Sequence, residues 1–521
     1  MLTFLHRYRI ITVVIIVYTT LRGGTSMANS FIHYQETKGI TYASIYTPRK
    51  VKGKKDNQPQ YLGRVIDKEN GVFRNRERGV FRYSLADGYS SVAPIDSPVK
   101  EEKLILDFGD SYILYQLLRE HGYWELFRDI LPEWADTLCA MLFYRVLRGG
   151  ASCYACDWWA ESYIRVVCPN AKVESQRVSE LFAALGDERV HRRFFQQYLP
   201  MVCEGQKNHG ILVDSTGMPN DIHFPLTAVN NHNGVISNET RLILVVDRKT
   251  KLPLLYRYNA GNIVDVSTLK STILELSAYG VNVDFSILDA GYYSEKNAKD
   301  LYAEGIRFVT RLAPNRKLYK DLVADHAKGL DSMSNAVFYR DRLLYIKCVP
   351  VDLCGHQAYA YVAIDHQRRS SEMYSFMKNA FDDKHMSHDE IDQKAISKGM
   401  FTIISSELME ISEIMPLYYT RQAIEQVFDL YKNNADLLPL RTHGENTFRG
   451  HLMLSFMSTV VYMLTNSLLE GSKFCADGAF RVLHNLKCKV FDDRILVKEG
   501  TKKINDIAKH LHIVLPLELT I

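Results

Sequence analysis

Disulfide chemistry has little to work with in this chain. Nine cysteines are scattered over 521 residues, an odd number without a pairing pattern. That argues against a disulfide scaffold and for a reducing compartment. An excess of charge of one sign is also lacking: 64 Lys+Arg stand against 60 Asp+Glu, for a net charge of +4. A protein basic throughout is excluded, so any nucleic-acid surface must come from local clustering. The apolar run Ile10–Tyr18 is too short to cross a bilayer, and no internal repeat is present. Tryptophan is scarce, with Trp124, Trp134, Trp158 and Trp159 and none beyond. Cys153-Tyr-Ala-Cys156 has a zinc-like spacing, but no second pair follows at finger distance. What remains is 46% hydrophobic and 24% charged, the composition of a globular protein of about three domains.

The first 27 residues read differently from the rest. Arg7 and Arg9 precede the short apolar run, and small residues follow it, which resembles a weak signal peptide. The alternative, which the intracellular character of the remainder favours, is a start assigned too early, with Met27 as the first residue. Residues 28–101 form a basic arm of short strands and loops. Between Tyr46 and Arg82 eleven basic residues face four acidic ones, with Tyr46, Tyr61, Phe73 and Phe81 interleaved. Such a strip suits a phosphate backbone, or else is a solvated loop.

Helical periodicity takes over across 102–205, with amphipathic segments at Asp107–His121, Tyr123–Ile130, Trp134–Arg148 and Val178–Gly186. Next comes an α/β alternation over 206–318: strands at Gly210–Thr216, Leu242–Asp247 and Leu252–Tyr258, a helix at Asp265–Tyr279, a strand at Phe285–Asp289, a helix at Glu295–Glu304 and a strand at Ile306–Leu312. Residues 319–398 break the rhythm with Tyr- and Val-rich strands and read as a β-rich insertion. Over 399–470 the spacing predicts a strand at Met400–Ser405, a helix at Pro416–Asn433 with proline in its first turn, and an apolar helix at Thr447–Leu469. Residues 471–521 read as a mixed C-terminal tail.

Three acids stand out. Asp214 and Asp289 each end an apolar strand and precede a small-residue turn, where open α/β folds place their sites; each could instead simply cap a turn. Glu425 lies in Tyr418-Tyr-Thr-Arg421-Gln-Ala-Ile-Glu425, with Lys432 beyond. At about 100° per residue, Tyr418, Arg421, Glu425 and Lys432 share one helix stripe; the bland reading is a surface Arg421–Glu425 pair. Three carboxylates can hold two Mg²⁺ ions about 3.5–4 Å apart for phosphodiester chemistry, with Arg and Lys gripping phosphates.

Asp214 in Val-Asp-Ser-Thr-Gly, Asp289 in Leu-Asp-Ala-Gly-Tyr-Tyr-Ser and the Tyr-x2-Arg-x3-Glu-x6-Lys helix together resemble the DDE transposases of bacterial insertion sequences, in the branch with the YREK signature. The spacing of 75 residues from Asp214 to Asp289 and 136 from Asp289 to Glu425 leaves room for an insertion. Gly450-His451 also looks like the family. The resemblance implies an α/β fold: a ribonuclease-H-like mixed sheet core interrupted by a β-rich insertion, with a helical N-terminal region. It implies Asp214, Asp289 and Glu425 as metal ligands for two ions, Mg²⁺ or Mn²⁺, since both suit carboxylates. Tyr418, Arg421 and Lys432 would contact DNA near the cleaved end. The partners would be double-stranded DNA, as terminal inverted repeats and target, and a second copy in a homodimeric synaptic complex, with no membrane. The implied activity is DNA nicking and strand transfer in the cytoplasm, at the nucleoid. Some members stack a flipped base on a tryptophan of the insertion. Here Tyr339, Tyr345, Tyr359 or Tyr361 would have to substitute.

Competing readings are a decayed copy that binds DNA ends without cutting, a ribonuclease-H-fold nuclease that cuts without joining, and an exported hydrolase. Asp247, Glu410 and Glu413 are alternative acids. Asp247 sits at an expected hairpin turn, and the two glutamates lack the Arg/Lys stripe.

Overall fold

A computed structural model describes residues 30–37, 39–51, 54–75, 78–91, 104–219, 226–232, 235–263, 267–382, 387–434 and 444–520. The signal-like segment, Lys52 and Arg76 of the basic arm, and the candidate helix cap Asp265 lie outside them. The chain divides into two compact units, 1–101 and 102–521.

The first unit is a six-stranded antiparallel meander: β1 (Phe31–Thr37), β2 (Ile40–Val51), β3 (Lys54–Asp67), β4 (Val72–Asn75), β5 (Gly79–Ser84) and β6 (Gly88–Ser91). Period-two alternation gives it one apolar face, where Ala43, Ile45, Leu62, Phe73 and Phe81 are buried.

The second unit opens with β7 (Leu104–Asp107) and seven helices: α1 (Gly109–Glu120), α2 (Tyr123–Asp129), α3 (Ala135–Leu147), α4 (Ala155–Glu161), α5 (Ile164–Val167), α6 (Ser175–Leu185) and α7 (Glu188–Val202). Asp107, expected at a helix start, belongs to β7. The α/β part follows: β8 (His209–Pro219), β9 (Ala228–His232), β10 (Val235–Asp247), β11 (Pro253–Ala260), α8 (Leu269–Ala278), β12 (Val283–Leu288), α9 (Glu295–Ala303) and β13 (Arg307–Arg311). The fold class is mixed α/β, built on a mixed sheet. Its order begins β11-β10-β8-β12-β13. β10 runs antiparallel to β8 and β11, while β8, β12 and β13 are mutually parallel.

Several boundaries differ from expectation, each for a local reason. Asp214 does not end its strand: β8 continues to Pro219, because β10 supplies partners out to Glu239. α8 starts after Thr268, later than the period suggested. Residues 319–398 are as helical as they are stranded. They hold β14 (Ala336–Tyr339), β15 (Arg342–Leu353) and β16 (His356–Asp365), but also most of α10 (Lys317–His326), α11 (His366–Asp382) and α12 (His388–Ile396). Their strands extend the central sheet, since β16 pairs with β17 (Met400–Ser405) and β17 with β13.

After β17 come α13 (Ile411–Tyr419) and α14 (Gln422–Asp429), a π-helical turn at Leu430–Asn434, and α15 (Glu445–Leu468). Pro416 sits inside α13, not in its first turn, because buried Ile414 and Met415 extend the helix back to Glu410. The last fifty residues are no loose tail. They form α16 (Ala476–Leu483), β18 (Lys487–Val490), β19 (Arg494–Val497), α17 (Lys502–His510) and β20 (Glu518–Thr520), and β18 pairs with β7. α15 is buried along most of its length and crosses α6 with almost no gap. A Cβ on Gly450 would lie 1.9 Å from Phe182 O, and one on Gly186 1.8 Å from Asn446 O. Among the described residues no helix is long and apolar enough to cross a membrane.

Candidate functional site

Three carboxylates from distant parts of the chain meet at one guanidinium. Asp214 lies midway along β8, with Val213 buried before it. Asp289 follows β12 and opens a short 3-10 turn. Glu425 lies on the exposed side of α14, whose opposite face buries Ile424, Val427 and Phe428. Arg421 Nη1 is 2.8 Å from Asp214 Oδ2 and 3.3 Å from Asp289 Oδ1. Its Nη2 is 3.1 Å from Glu425 Oε1. Asp214 is nearly buried, with 13% of its side chain exposed, while Glu425 at 55% is open to water. The Arg421–Glu425 pair exists, but it is half of the arrangement; the same guanidinium reaches across to both aspartates. Burial pulls the Arg421 pKa down, and Asp289, Tyr418, Asp214 and Glu425 together outweigh it, leaving it raised.

The helix that carries Arg421 is not the continuous one the spacing predicts. Between α13 and α14 the chain tightens, with Ala423 N bonding Thr420 O and Ile424 N bonding Arg421 O, the i+3 pattern of a 3-10 turn. It then widens into the π turn that carries Lys432. The tight turn over-rotates and the wide one under-rotates, so both cations still face β8. Lys432 Nζ donates to Thr216 Oγ1 and, at 3.0 Å, to Gly217 O. Burial lowers the Lys432 pKa, partly opposed by Asp429 and Glu239. Tyr418 is 6% exposed. Its phenol is pushed up to about 12 by burial, with Arg421 acting in the opposite direction.

Thr216 was not singled out in the sequence, although it lies two residues after Asp214 and so on the same face of β8. Nor was Tyr419, which stacks on Tyr339 of β14 with centroids 5.1 Å apart, or Arg340, which bonds Gln422 at 3.2 Å. These contacts brace the Glu425 helix against the inserted strands. Of the four candidate stacking tyrosines, Tyr361 is fully buried with its hydroxyl on Met409 O. Tyr345 packs edge-on to His366, and Tyr345 and Tyr359 are half-buried.

The alternatives fare differently. Asp247 is buried and caps the β10–β11 turn, accepting from Lys249 N and Thr250 N while bonding His209 at 3.1 Å. Glu410 is the N-cap position of α13 and Glu413 lies in its first turn. Cys153 and Cys156 are exposed free thiols.

An all-oxygen set of three carboxylates suits hard divalent cations. The point on which it converges already receives one cation, the Arg421 guanidinium. Among the described residues no three His, Cys, Asp or Glu side chains stand together at metal-holding distance. The donor chemistry suits such an ion, and in this arrangement the Arg421 guanidinium holds the place between the carboxylates.

No curated protein matches this chain. Among solved structures, a piggyBac transposase synaptic complex with hairpin DNA is similar at 11% identity and a TM-score of 0.36, over 67% of this chain and 70% of that one. The family described as the transposase DDE domain matches residues 205–461, a span that contains Asp214, Asp289 and Glu425 and supports a transposase of the DDE type.

Proposed function

We propose that the chain is the transposase of a bacterial insertion sequence, of the YREK-signature branch, which binds terminal inverted repeats, cleaves at their ends and joins them to target DNA. The observation that carries this reading is the convergence of Asp214, Asp289 and Glu425 on Arg421. The sheet order β11-β10-β8-β12-β13, with only the second strand reversed against its neighbours, supports a ribonuclease-H-like core. Work on nucleoid DNA in the cytoplasm, as a homodimer holding two ends, belongs to the same proposal.

In this reading Asp214, Asp289 and Glu425 would hold two divalent ions, Mg²⁺ or Mn²⁺, which when bound polarise the scissile phosphodiester and ease departure of its leaving oxygen. Arg421, released from the carboxylates, turns its fork to a phosphate beside the cut. Lys432, anchored on β8 through Thr216, adds a second positive charge at a fixed place. Tyr418, 6% exposed, offers DNA only the small part of its side chain left at the surface.

The test is strand cleavage of a labelled duplex carrying the terminal repeats that flank the encoding locus, in Mg²⁺. Wild type should nick at the repeat end. Glu425→Gln should bind the same duplex and cut at least about 100-fold more slowly, the scale of losing a charge-stabilising group. Cleavage that survives in Glu425→Gln would remove this glutamate from the chemistry.

A further inference from the structure

The two faces of the N-terminal sheet differ in a way the count of basic residues does not show. Cross-strand register sorts the side chains. Ile45, Ala43, Val65, Phe73 and Phe81 share the apolar face. On the other face Phe31 lies opposite Tyr46, Ser44 opposite Tyr61, Tyr42 opposite Arg64, Arg64 opposite Arg74, and Val72 opposite Arg82. Aromatic rings thus gather over β1–β3 and arginines over β3–β5.

Two of the rings are exposed and two are half-buried. Phe31 is 46% exposed and Tyr61 57%. Phe31 stacks on Tyr46 at 5.7 Å and 13°, and Tyr42 lies 6.5 Å from Tyr61. Arg64, Arg74 and Arg82 are exposed, with no ion pair to any of them among the described residues. Against these three arginines the register places one carboxylate on this face among the described residues, Asp67 opposite Val72, close enough to Arg82 to feel its charge. An ordinary solvated sheet face mixes both signs of charge and keeps its aromatics on the buried side.

We propose that this face is a platform for single-stranded DNA, with bases stacking on Phe31, Tyr46 and Tyr61 and the backbone held by Arg64, Arg74 and Arg82. Charge complementarity selects a polyanion. Flat, accessible rings select unpaired bases over a duplex, whose bases present only their edges. The choice of DNA over RNA rests on the transposase reading.

The test uses the full chain, EDTA and a fluorescein-labelled oligothymidylate, read by anisotropy, so that binding is measured without cleavage. Wild type should bind it more tightly than a duplex of equal length. Tyr61→Ala should weaken binding about 5- to 150-fold, the range for one stacked base, and Tyr61→Phe should restore it. Arg74→Ala should reduce the salt slope by about 0.7, one phosphate contact on a single strand. Both side chains are exposed, so the melting midpoint should not move. Unchanged affinity in Tyr61→Ala and Arg74→Ala, or a preference for duplex, would overturn the platform; tighter binding of oligouridylate would overturn its assignment to DNA. A chain that binds oligothymidylate through Tyr61 yet never cuts repeat ends would leave the platform standing and sink the transposase reading alone.

Discussion

Arg421 is the residue on which the site turns. One guanidinium offsets part of the repulsion among three carboxylates, and their combined negative charge explains why its pKa rises despite burial. Removing it leaves three facing negative charges. Arg421→Ala should therefore lose about 1–3 kcal/mol in metal-free buffer, less than for a fully buried pair because Asp289 and Glu425 are partly open to water. Mg²⁺ should recover more stability in the variant than in wild type; thermal melts with and without the ion measure both, and equal Mg²⁺ shifts would show that the guanidinium and the ion do not compete for one place. Arg421→Lys keeps a charge but loses the fork that spans the two sides. It should retain the metal-free stability in part and lose repeat-end cleavage.

At the scale of elements, irregular winding and close crossings do what a regular helix could not. The 3-10 and π turns around α14 bring Arg421 and Lys432 to one strand. Below them α15 crosses α6 at a distance that only glycine permits, and the neighbouring His451 ring stacks on Phe182 at 3.8 Å. The Gly450-His451 pair thus has a packing role that needs no contact with substrate. Gly450→Ala must push backbone against backbone, an overpacking cost of about 1–3 kcal/mol or more. Its denaturation midpoint should fall accordingly, and an unchanged midpoint would mean the crossing is looser than described.

On the scale of the whole molecule, the C-terminal fifty residues close the helical region. Phe108 N and Gly109 N both donate to Leu486 O at 2.9 and 3.0 Å, and β18 pairs with β7. His484 bridges Asp107 and Asp110 at 3.3 and 3.1 Å, while Lys487 pairs with Asp107. A chain ended at Glu470 should lose this closure, and limited proteolysis should cut it within residues 104–147 under conditions that spare wild type. Acid should weaken the same unit. Burial pushes His451 down to about 3 and His191 down to about 4, so both fold as neutral rings and protonate more readily when unfolded. Their contribution is complete above about pH 6.5 and is lost as pH falls toward 4 and 3, at up to about 1.4 kcal/mol per pH unit for each. The double variant His191→Gln/His451→Gln should be less stable at pH 7.5 yet decline more gently between pH 6.5 and 4.5.

Much of this was legible in the chain itself, because periodicity and motif spacing are local. The alternation that yields β8, β10, β11, α8, β12, α9 and β13 is written in apolar runs of the right length, and the Tyr418–Lys432 spacing put Arg421, Glu425 and Lys432 on one stripe. What pairs with what was not legible. Asp214 looked like a strand end because nothing near it in sequence reveals that β10 carries the ladder on to Glu239. Residues 319–398 read as a β-rich insertion, but the β16–β17 pairing that makes their strands part of the central sheet is set by partners outside the segment. The tail looked featureless because its partner, β7, lies almost four hundred residues earlier. Above all, spacing placed Arg421 beside Glu425, one helical turn away, but only folding set it between Asp214 and Asp289, 207 and 132 residues distant. Local sequence dictates which faces are apolar and which residues share a stripe. Long-range burial and charge neutralisation choose the partner each face meets, and here that choice assembled the site.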